Sequence, residues 1–129
     1  MDIGDHKKIL IIDDDEAALI FLSMFFAEKD FFVISAKNVR EGIQKALTEK
    51  PCIIILGMSG KSDVMVMRKL QIDKYIKNIP IIITGDVPLF KRYFELNEQF
   101  PMLQDYIEKP IDRELLFKKI VELLNHKFQ

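Results

Sequence analysis

The sequence has little of several features that mark other classes of protein. One cysteine, Cys52, is present among 129 residues, so no internal disulfide can form, and the apolar run beside it indicates a small core residue. No Gly-rich phosphate loop, Ser/His/Asp set or Cys/His cluster with metal-ligand spacing occurs. His6 and His126 lie near the termini and are assigned no role. Most routes to enzymatic chemistry are therefore missing.

Long hydrophobic runs and an excess of one charge are also lacking. The apolar stretch Ala17–Ala27 is too short to span a bilayer, and the first eight residues lack the apolar core of a signal peptide. With 19 basic and 20 acidic residues, no overall field favours nucleic acid or an anionic membrane. We therefore expect a cytoplasmic domain that binds neither nucleic acid nor membranes.

Five short runs predict β-strands, and the nearly unbroken apolar or β-branched character of the first four is typical of strands covered on both faces. Helix-start signals lie between them: Asn38 with Glu41 three residues later, Ser62 before a helix to about Tyr75, and Asp112 before the last helix. Pro88 suits a first helical turn. The runs are Ile9–Ile12, Phe31–Ile34, Ile53–Leu56, Ile79–Ile83 and Leu103–Ile107.

Strand and helix thus alternate five times, which predicts an α/β fold with a parallel five-stranded sheet and helices on both faces. No repeat, linker or low-complexity tract interrupts the pattern. We expect one domain over residues 1–129, with its core at about 8–126.

Polar residues just past four of the strands carry the chemistry. Because the carboxyl ends of parallel strands meet at one edge, we expect these residues to gather in one crevice. Carboxylates, a hydroxyl and an ammonium are groups that a Mg²⁺- and phosphoryl-binding site uses. The glycine, however, supplies no nucleophile. The residues are Asp13, Asp14, Gly57, Thr84 and Lys109.

The chain resembles the receiver domain of two-component response regulators over nearly its whole length. The resemblance rests on three segments in the right order: 8–14 (KILIIDD), 81–84 (IIIT) and 106–110 (YIEKP). It implies a flavodoxin-like fold with strand order 2-1-3-4-5 and a role in phosphorelay signal transduction. In that family an acidic pair helps to hold Mg²⁺, and an aspartate after the third strand accepts a phosphoryl group from a histidine kinase.

Carried over residue by residue, Asp13 and Asp14 match the acidic pair and Thr84 the switch hydroxyl. Tyr106 matches the switch aromatic, and Lys109 matches the lysine that contacts the phosphoryl group. The phosphorylated aspartate is replaced by Gly57, so the resemblance implies a degenerate receiver, or pseudoreceiver.

The glycine weakens the expected metal site as well as removing the nucleophile. Mg²⁺ prefers octahedral oxygen ligands, so Asp13, Asp14 and the backbone carbonyl of Ser59 would hold it weakly or leave the site vacant. We expect Lys109 to pair with Asp13 or Asp14. Gly57 could also be required by a backbone with positive φ, or it could be an engineered change from a native aspartate, which would restore ordinary phosphoacceptor signalling.

Two surfaces are candidates for partner binding. The first helix, Ala17–Ala27, is more apolar than one covered face requires, which indicates either deep packing or docking. The second surface comprises the fourth helix, fifth strand and fifth helix, where Lys91, Arg92 and Tyr93 could form a polar rim, or Phe90 and Phe94 could lie in the core. Partners implied by the resemblance are a histidine kinase, a phosphotransfer protein, an output protein or a second copy.

One enzymatic alternative exists. Asp13 followed by Asp15, then Thr84 and Lys109, also resembles haloacid-dehalogenase-type phosphatases, in which Asp13 would be the nucleophile and Asp15 the general acid. The loop after Asp15 and the residues after Lys109 do not match, and Asp15 is also placed to cap a helix. We therefore expect a non-enzymatic signalling domain that acts through protein contacts without aspartyl phosphorylation.

Overall fold

Five strands alternate with five helices along the chain. The computed structural model describes residues 7–57, 63–86 and 89–127, and within these ranges the side chains other than those of residues 63–66, 89–92 and 126–127. The elements are β1 (Lys8–Ile12), α1 (Glu16–Glu28), β2 (Phe32–Ala36), α2 (Val39–Glu49), β3 (Ile53–Gly57), α3 (Asp63–Ile72), β4 (Ile81–Gly85), α4 (Leu89–Gln99), β5 (Leu103–Glu108) and α5 (Arg113–Lys127).

The strands form one parallel sheet in the order β2-β1-β3-β4-β5. Two apolar clusters cover its faces. One contains side chains of α2, α3 and α4, and the other contains side chains of α1 and α5. Every residue of β4, and all of β3 before Gly57, is buried, as expected for strands covered on both sides. The predicted three-layer flavodoxin-like fold and strand order are confirmed.

Several element ends differ from the sequence prediction. β4 begins at Ile81 and not at Ile79, whose amide instead closes a turn by donating to the Ile76 carbonyl at 2.8 Å. Pro80 between them cannot donate to a neighbouring strand. The helix expected to reach Tyr75 ends at Ile72. β3 and β4 each run one residue or more beyond the apolar run, which brings Gly57 and Thr84 into the sheet.

The predicted helix caps are confirmed where the structure describes them. The Asn38 side chain accepts a hydrogen bond from the Glu41 amide at 2.8 Å, and Asp112 accepts one from the Leu115 amide at 3.1 Å. Such caps satisfy amides that the first turn of a helix leaves unpaired. Ser62 and Pro88 lie outside the described residues.

Helix α1 is apolar on two sides, and only one of them is covered. Leu19, Leu22, Phe25 and Phe26 are buried against the sheet and α5. Ile20, Phe21 and Met24 are 53%, 44% and 61% exposed. Deep packing on all sides is therefore wrong for this helix, although the Arg113 guanidinium of α5 lies 5.4 Å from the Phe21 ring.

Gly42 allows α2 to lie close to β1. A Cβ at this position would lie 2.4 Å from Cδ1 and 2.7 Å from Cγ1 of Ile12, inside normal contact distance. We predict that Gly42→Ala lowers the free energy of unfolding by about 1 to 2 kcal/mol, because overpacking outweighs alanine's better helix propensity. Urea denaturation measures this change, and a stabilised variant would contradict the close packing.

Candidate functional site

The carboxyl edge of the sheet brings the predicted site residues together. Asp13 directly follows β1, and its amide donates to the Ala36 carbonyl at 3.0 Å, so the β1–β2 pairing continues through it. The Lys109 amide donates to the Gly85 carbonyl at 2.7 Å and fixes the end of β5 beside β4. Gly57 and Thr84 face each other in register as the ends of β3 and β4. Backbone pairing alone therefore positions four of the five strand-end residues.

Asp13 is the centre of the site. Its side chain is 2% exposed, and each carboxylate oxygen accepts a hydrogen bond. Oδ1 accepts from the Asp15 amide at 2.9 Å, and Oδ2 accepts from Lys109 Nζ at 3.1 Å. The expected pairing of Lys109 with one member of the acidic pair is confirmed, and the member is Asp13. Asp14 is exposed.

Gly57 has a steric relation to Asp13 that the sequence does not reveal. A Cβ built on Gly57 would lie 2.3 Å from Oδ2, 2.5 Å from Cγ and 3.0 Å from Oδ1 of Asp13. The backbone of Gly57 does not have the positive φ that L residues avoid, so the interpretation of this glycine as a backbone device is wrong. The Asp13 carboxylate lies where a side chain at position 57 would begin.

Thr84 is fully buried, and its hydroxyl has no hydrogen-bond partner among the described residues. Leaving such a group unsatisfied costs about 1 to 3 kcal/mol. A buried hydroxyl of this kind can be satisfied by a ligand or by a second side-chain conformation, so its state matches the switch position that the resemblance assigns to it. Its role as a switch stays a prediction.

Tyr106 points into the molecule and reaches the loop after β4. Its hydroxyl donates to the Asp86 carbonyl, and its ring lies 5.8 Å from that of Tyr93 between centroids. Burial raises the pKa of Tyr106 above its ordinary value of 10.0, and the carboxylates of Glu108 and Asp86 act in the same direction. Neutral Tyr106 thus ties β5 to the carboxyl end of β4.

This pKa shift predicts a pH dependence with a definite sign. Because the folded protein holds the phenolic proton more tightly, the stability that Tyr106 contributes is present below pH 10.0 and is lost as the pH rises above it. We expect Tyr106→Phe to cost about 1 kcal/mol at neutral pH through its lost hydrogen bond. The difference from wild type in urea denaturation should shrink above pH 10.0, and a constant difference would contradict the assignment.

A divalent cation does not fit the residues that are described here. Mg²⁺ requires several oxygen ligands at short distance, but Oδ2 of Asp13 is engaged by an ammonium and Gly57 supplies no carboxylate. Within the described ranges no three His, Cys, Asp or Glu side chains are grouped so as to hold a metal ion. Ser59, whose carbonyl was a predicted ligand, lies outside those ranges.

Asp15 caps α1, and its side chain is not aimed at the site. Oδ1 of Asp15 accepts from the amides of Ala17 and Ala18 at 3.0 and 3.3 Å. This geometry matches the capping role. Because the Asp15 carboxylate faces the helix amides, it is not placed as the general acid that the phosphatase alternative needs. The amide of Asp15 does contribute to the site, through its bond to Asp13, and sequence reasoning missed that contribution because backbone donors leave no sequence signal.

Comparison with known proteins identifies the family. No family model matches the chain. Protein PilH of Pseudomonas aeruginosa is 30% identical over 121 residues, which cover 91% of this chain and 97% of PilH. Response regulator PleD of Caulobacter vibrioides is 28% identical over 122 residues, which cover 93% of this chain and 26% of PleD.

Among solved structures, a two-component response regulator from Clostridium difficile superimposes with a TM-score of 0.78 at 26% identity, covering 95% of this chain and 98% of the other. The chemotaxis response regulator CheY4 of Vibrio cholerae has a TM-score of 0.76 at 19% identity, with 89% and 96% covered, and supports the fold alone.

The chain belongs to the receiver-domain family of response regulators in two-component signalling. It spans nearly all of PilH but about a quarter of PleD. The activities of longer relatives such as PleD belong to those whole proteins and are not assigned to this chain. No described helix is both long and apolar enough to cross a membrane.

Proposed function

We propose that this protein is a pseudoreceiver, a receiver-fold interaction module that transmits signals through protein contacts without aspartyl phosphorylation. The observation that carries the proposal is Gly57 at the end of β3, where the family has its phosphoacceptor. An acyl phosphate needs a carboxylate nucleophile in line with the donor phosphorus, and this position has no side chain. The nearest carboxylate, Asp13, is buried and paired with Lys109.

Intact-mass measurement after incubation with a small-molecule phosphodonor and Mg²⁺ tests the missing phosphorylation. We expect no change in mass. A receiver of known activity, treated in parallel and gaining one phosphoryl group, controls for the donor. A stable gain of one phosphoryl group by this protein would contradict the proposal.

The exposed face of α1 is the partner surface that the structure supports best. Ile20 and Met24 are more than half exposed, and with Leu19 and Ser23 they line an open groove of about 280 Å³ between α1 and β2. Charged Glu16 and Lys37 border this groove. An apolar patch with a polar border is typical of protein interfaces. A signalling partner such as a histidine kinase or phosphotransfer protein therefore has a suitable surface here.

Two exposed apolar residues allow a matched test of this surface. We expect Met24→Asp to weaken partner binding at least about tenfold, because a charge would replace an apolar contact. Ile72→Asp is the control, since Ile72 is 82% exposed at the end of α3 and away from the patch. Isothermal titration with candidate kinases and phosphotransfer proteins measures both, and both variants should stay within about 0.5 kcal/mol of wild-type stability.

The second candidate surface is distinguished in the same experiment. Phe94 on α4 is 57% exposed, so its placement in the core was a wrong expectation, whereas Phe100 and Tyr106 are buried. The side chains of Phe90, Lys91 and Arg92 lie outside the described residues. Loss of binding in Phe94→Asp with normal binding in Met24→Asp would assign the partner to the α4–β5–α5 face.

A further inference from the structure

We propose that the acidic pocket of this protein is closed from within. The Asp13 carboxylate occupies the space that a side chain at position 57 would need, and the Lys109 ammonium supplies the positive charge that a divalent cation would otherwise supply. The pocket therefore binds no Mg²⁺. This inference extends the proposed function, but it concerns the ion pair and not the missing nucleophile.

One oxygen atom, Oδ2 of Asp13, links the ion pair to the space at position 57. Oδ2 of Asp13 accepts the hydrogen bond from Lys109, and the same atom would lie 2.3 Å from a Cβ on Gly57. The Cβ of any L residue at position 57 would therefore force this oxygen away from its present position beside Lys109. Because the backbone of Gly57 has no positive φ, the obstacle to a side chain here is the Asp13 carboxylate.

Asp13 tolerates burial because both of its carboxylate oxygens are paired. A buried carboxylate is costly unless it is paired and hydrogen-bonded. Both of its oxygens have donors, the Asp15 amide on Oδ1 and Lys109 Nζ on Oδ2. A cation near Asp13 would compete with an ammonium tethered at 3.1 Å, and Gly57 gives it no carboxylate in return.

A double-mutant cycle between Gly57→Ala and Lys109→Met tests the steric link. We expect Lys109→Met to lower the folding equilibrium constant about tenfold or more in the wild-type background, but less than about twofold in the Gly57→Ala background, where the bond is already broken. Equal losses in the two backgrounds would overturn the proposal. The folding constants come from urea denaturation.

Gly42→Ala is the matched control, because it also adds a methyl group at less than 3 Å from a side chain, but against Ile12 and not Asp13. Its effect should add to that of Lys109→Met. A second readout is the amide resonance of Asp15, which donates to Asp13. Gly57→Ala should shift this resonance and Gly42→Ala should not; the reverse pattern would contradict the inference.

A rescue experiment covers the case in which Gly57→Ala does not fold. Replacing Asp13 by alanine removes the three carboxylate atoms that lie nearest to the new Cβ. The double variant Asp13→Ala, Gly57→Ala should therefore fold when Gly57→Ala alone does not. Failure of this rescue would show that another contact excludes a side chain at position 57, and would overturn the steric part of the proposal.

Mg²⁺ itself tests the electrostatic link. Ligand that binds only the folded state raises stability, so an empty Mg²⁺ site would give a higher urea midpoint in millimolar MgCl₂ than in NaCl of equal ionic strength. We expect identical midpoints. A raised midpoint would overturn this inference while leaving the missing nucleophile intact, whereas a phosphoryl mass gain would overturn the proposed function without bearing on the mutant cycle.

Discussion

Lys109→Met is expected to lower the free energy of unfolding by about 2 to 3 kcal/mol, because it leaves the buried Asp13 carboxylate without its counter-charge. The Lys109 side chain is 26% exposed and that of Asp13 is 2% exposed, so water can replace the ammonium only in part. Methionine keeps most of the length and apolar stem of lysine, which limits the effect of lost packing. Urea denaturation should show a lower midpoint with an unchanged slope.

Lys119→Met is the control for this substitution. Lys119 pairs with Asp105 at 2.6 Å, but both side chains are about a third exposed, at 28% and 33%. Pairs in such positions contribute less than about 1 kcal/mol because water already solvates both charges. Equal losses in the two variants would contradict the buried character of the Lys109–Asp13 pair.

The fold was predictable from sequence because strands that are buried on both faces have continuous apolar runs. Runs such as Ile53–Leu56 and Ile81–Ile83 are apolar throughout, and side chains on either face of the sheet enter one of the two clusters. Element ends were predicted less well. Thr84 favours strands but ends the apolar run, and Gly57 does not favour them; both join the sheet through backbone pairing with each other.

The candidate site was predictable in its membership but not in its geometry. Strand-end positions brought Asp13, Thr84 and Lys109 together, as parallel topology requires. The choice of Asp13 over Asp14 as the partner of Lys109 depends on side-chain direction, since Asp13 is buried and its neighbour in sequence is exposed. Residue types alone cannot distinguish two adjacent aspartates.

The sequence also did not predict which face of α1 is covered and which is exposed. Its apolar residues have nearly the same hydropathy all round, so the pattern does not indicate which of them meet the sheet. The structure separates buried Leu22 and Phe26 from exposed Ile20 and Met24. Only the exposed set is available to a partner, and only packing reveals it.

Gly57→Asp is expected to change both the stability and the metal response of the protein. The new Cβ would lie 2.3 Å from Oδ2 of Asp13, so Asp13 must leave its position and its bond to Lys109. Without divalent ions, the introduced carboxylate adds like charge beside Asp13 and Asp14, and we expect a loss of about 2 kcal/mol. These carboxylates together form the kind of oxygen cluster that Mg²⁺ prefers. Millimolar Mg²⁺ should therefore recover stability in this variant, whereas we expect it to have no effect on the wild type.

Gly57→Asn separates the charge of the new side chain from its size. It introduces the same Cβ and nearly the same volume, so it should displace Asp13 and lose stability without gaining a response to Mg²⁺. Urea midpoints in MgCl₂ and in NaCl of equal ionic strength measure both effects. If Gly57→Asp were as stable as wild type without Mg²⁺, the position of Asp13 would not depend on the space at residue 57. In that case the only effect of glycine at position 57 would be the absence of a nucleophile. The expected result shows in addition that Gly57 leaves the space in which the buried Asp13–Lys109 ion pair forms.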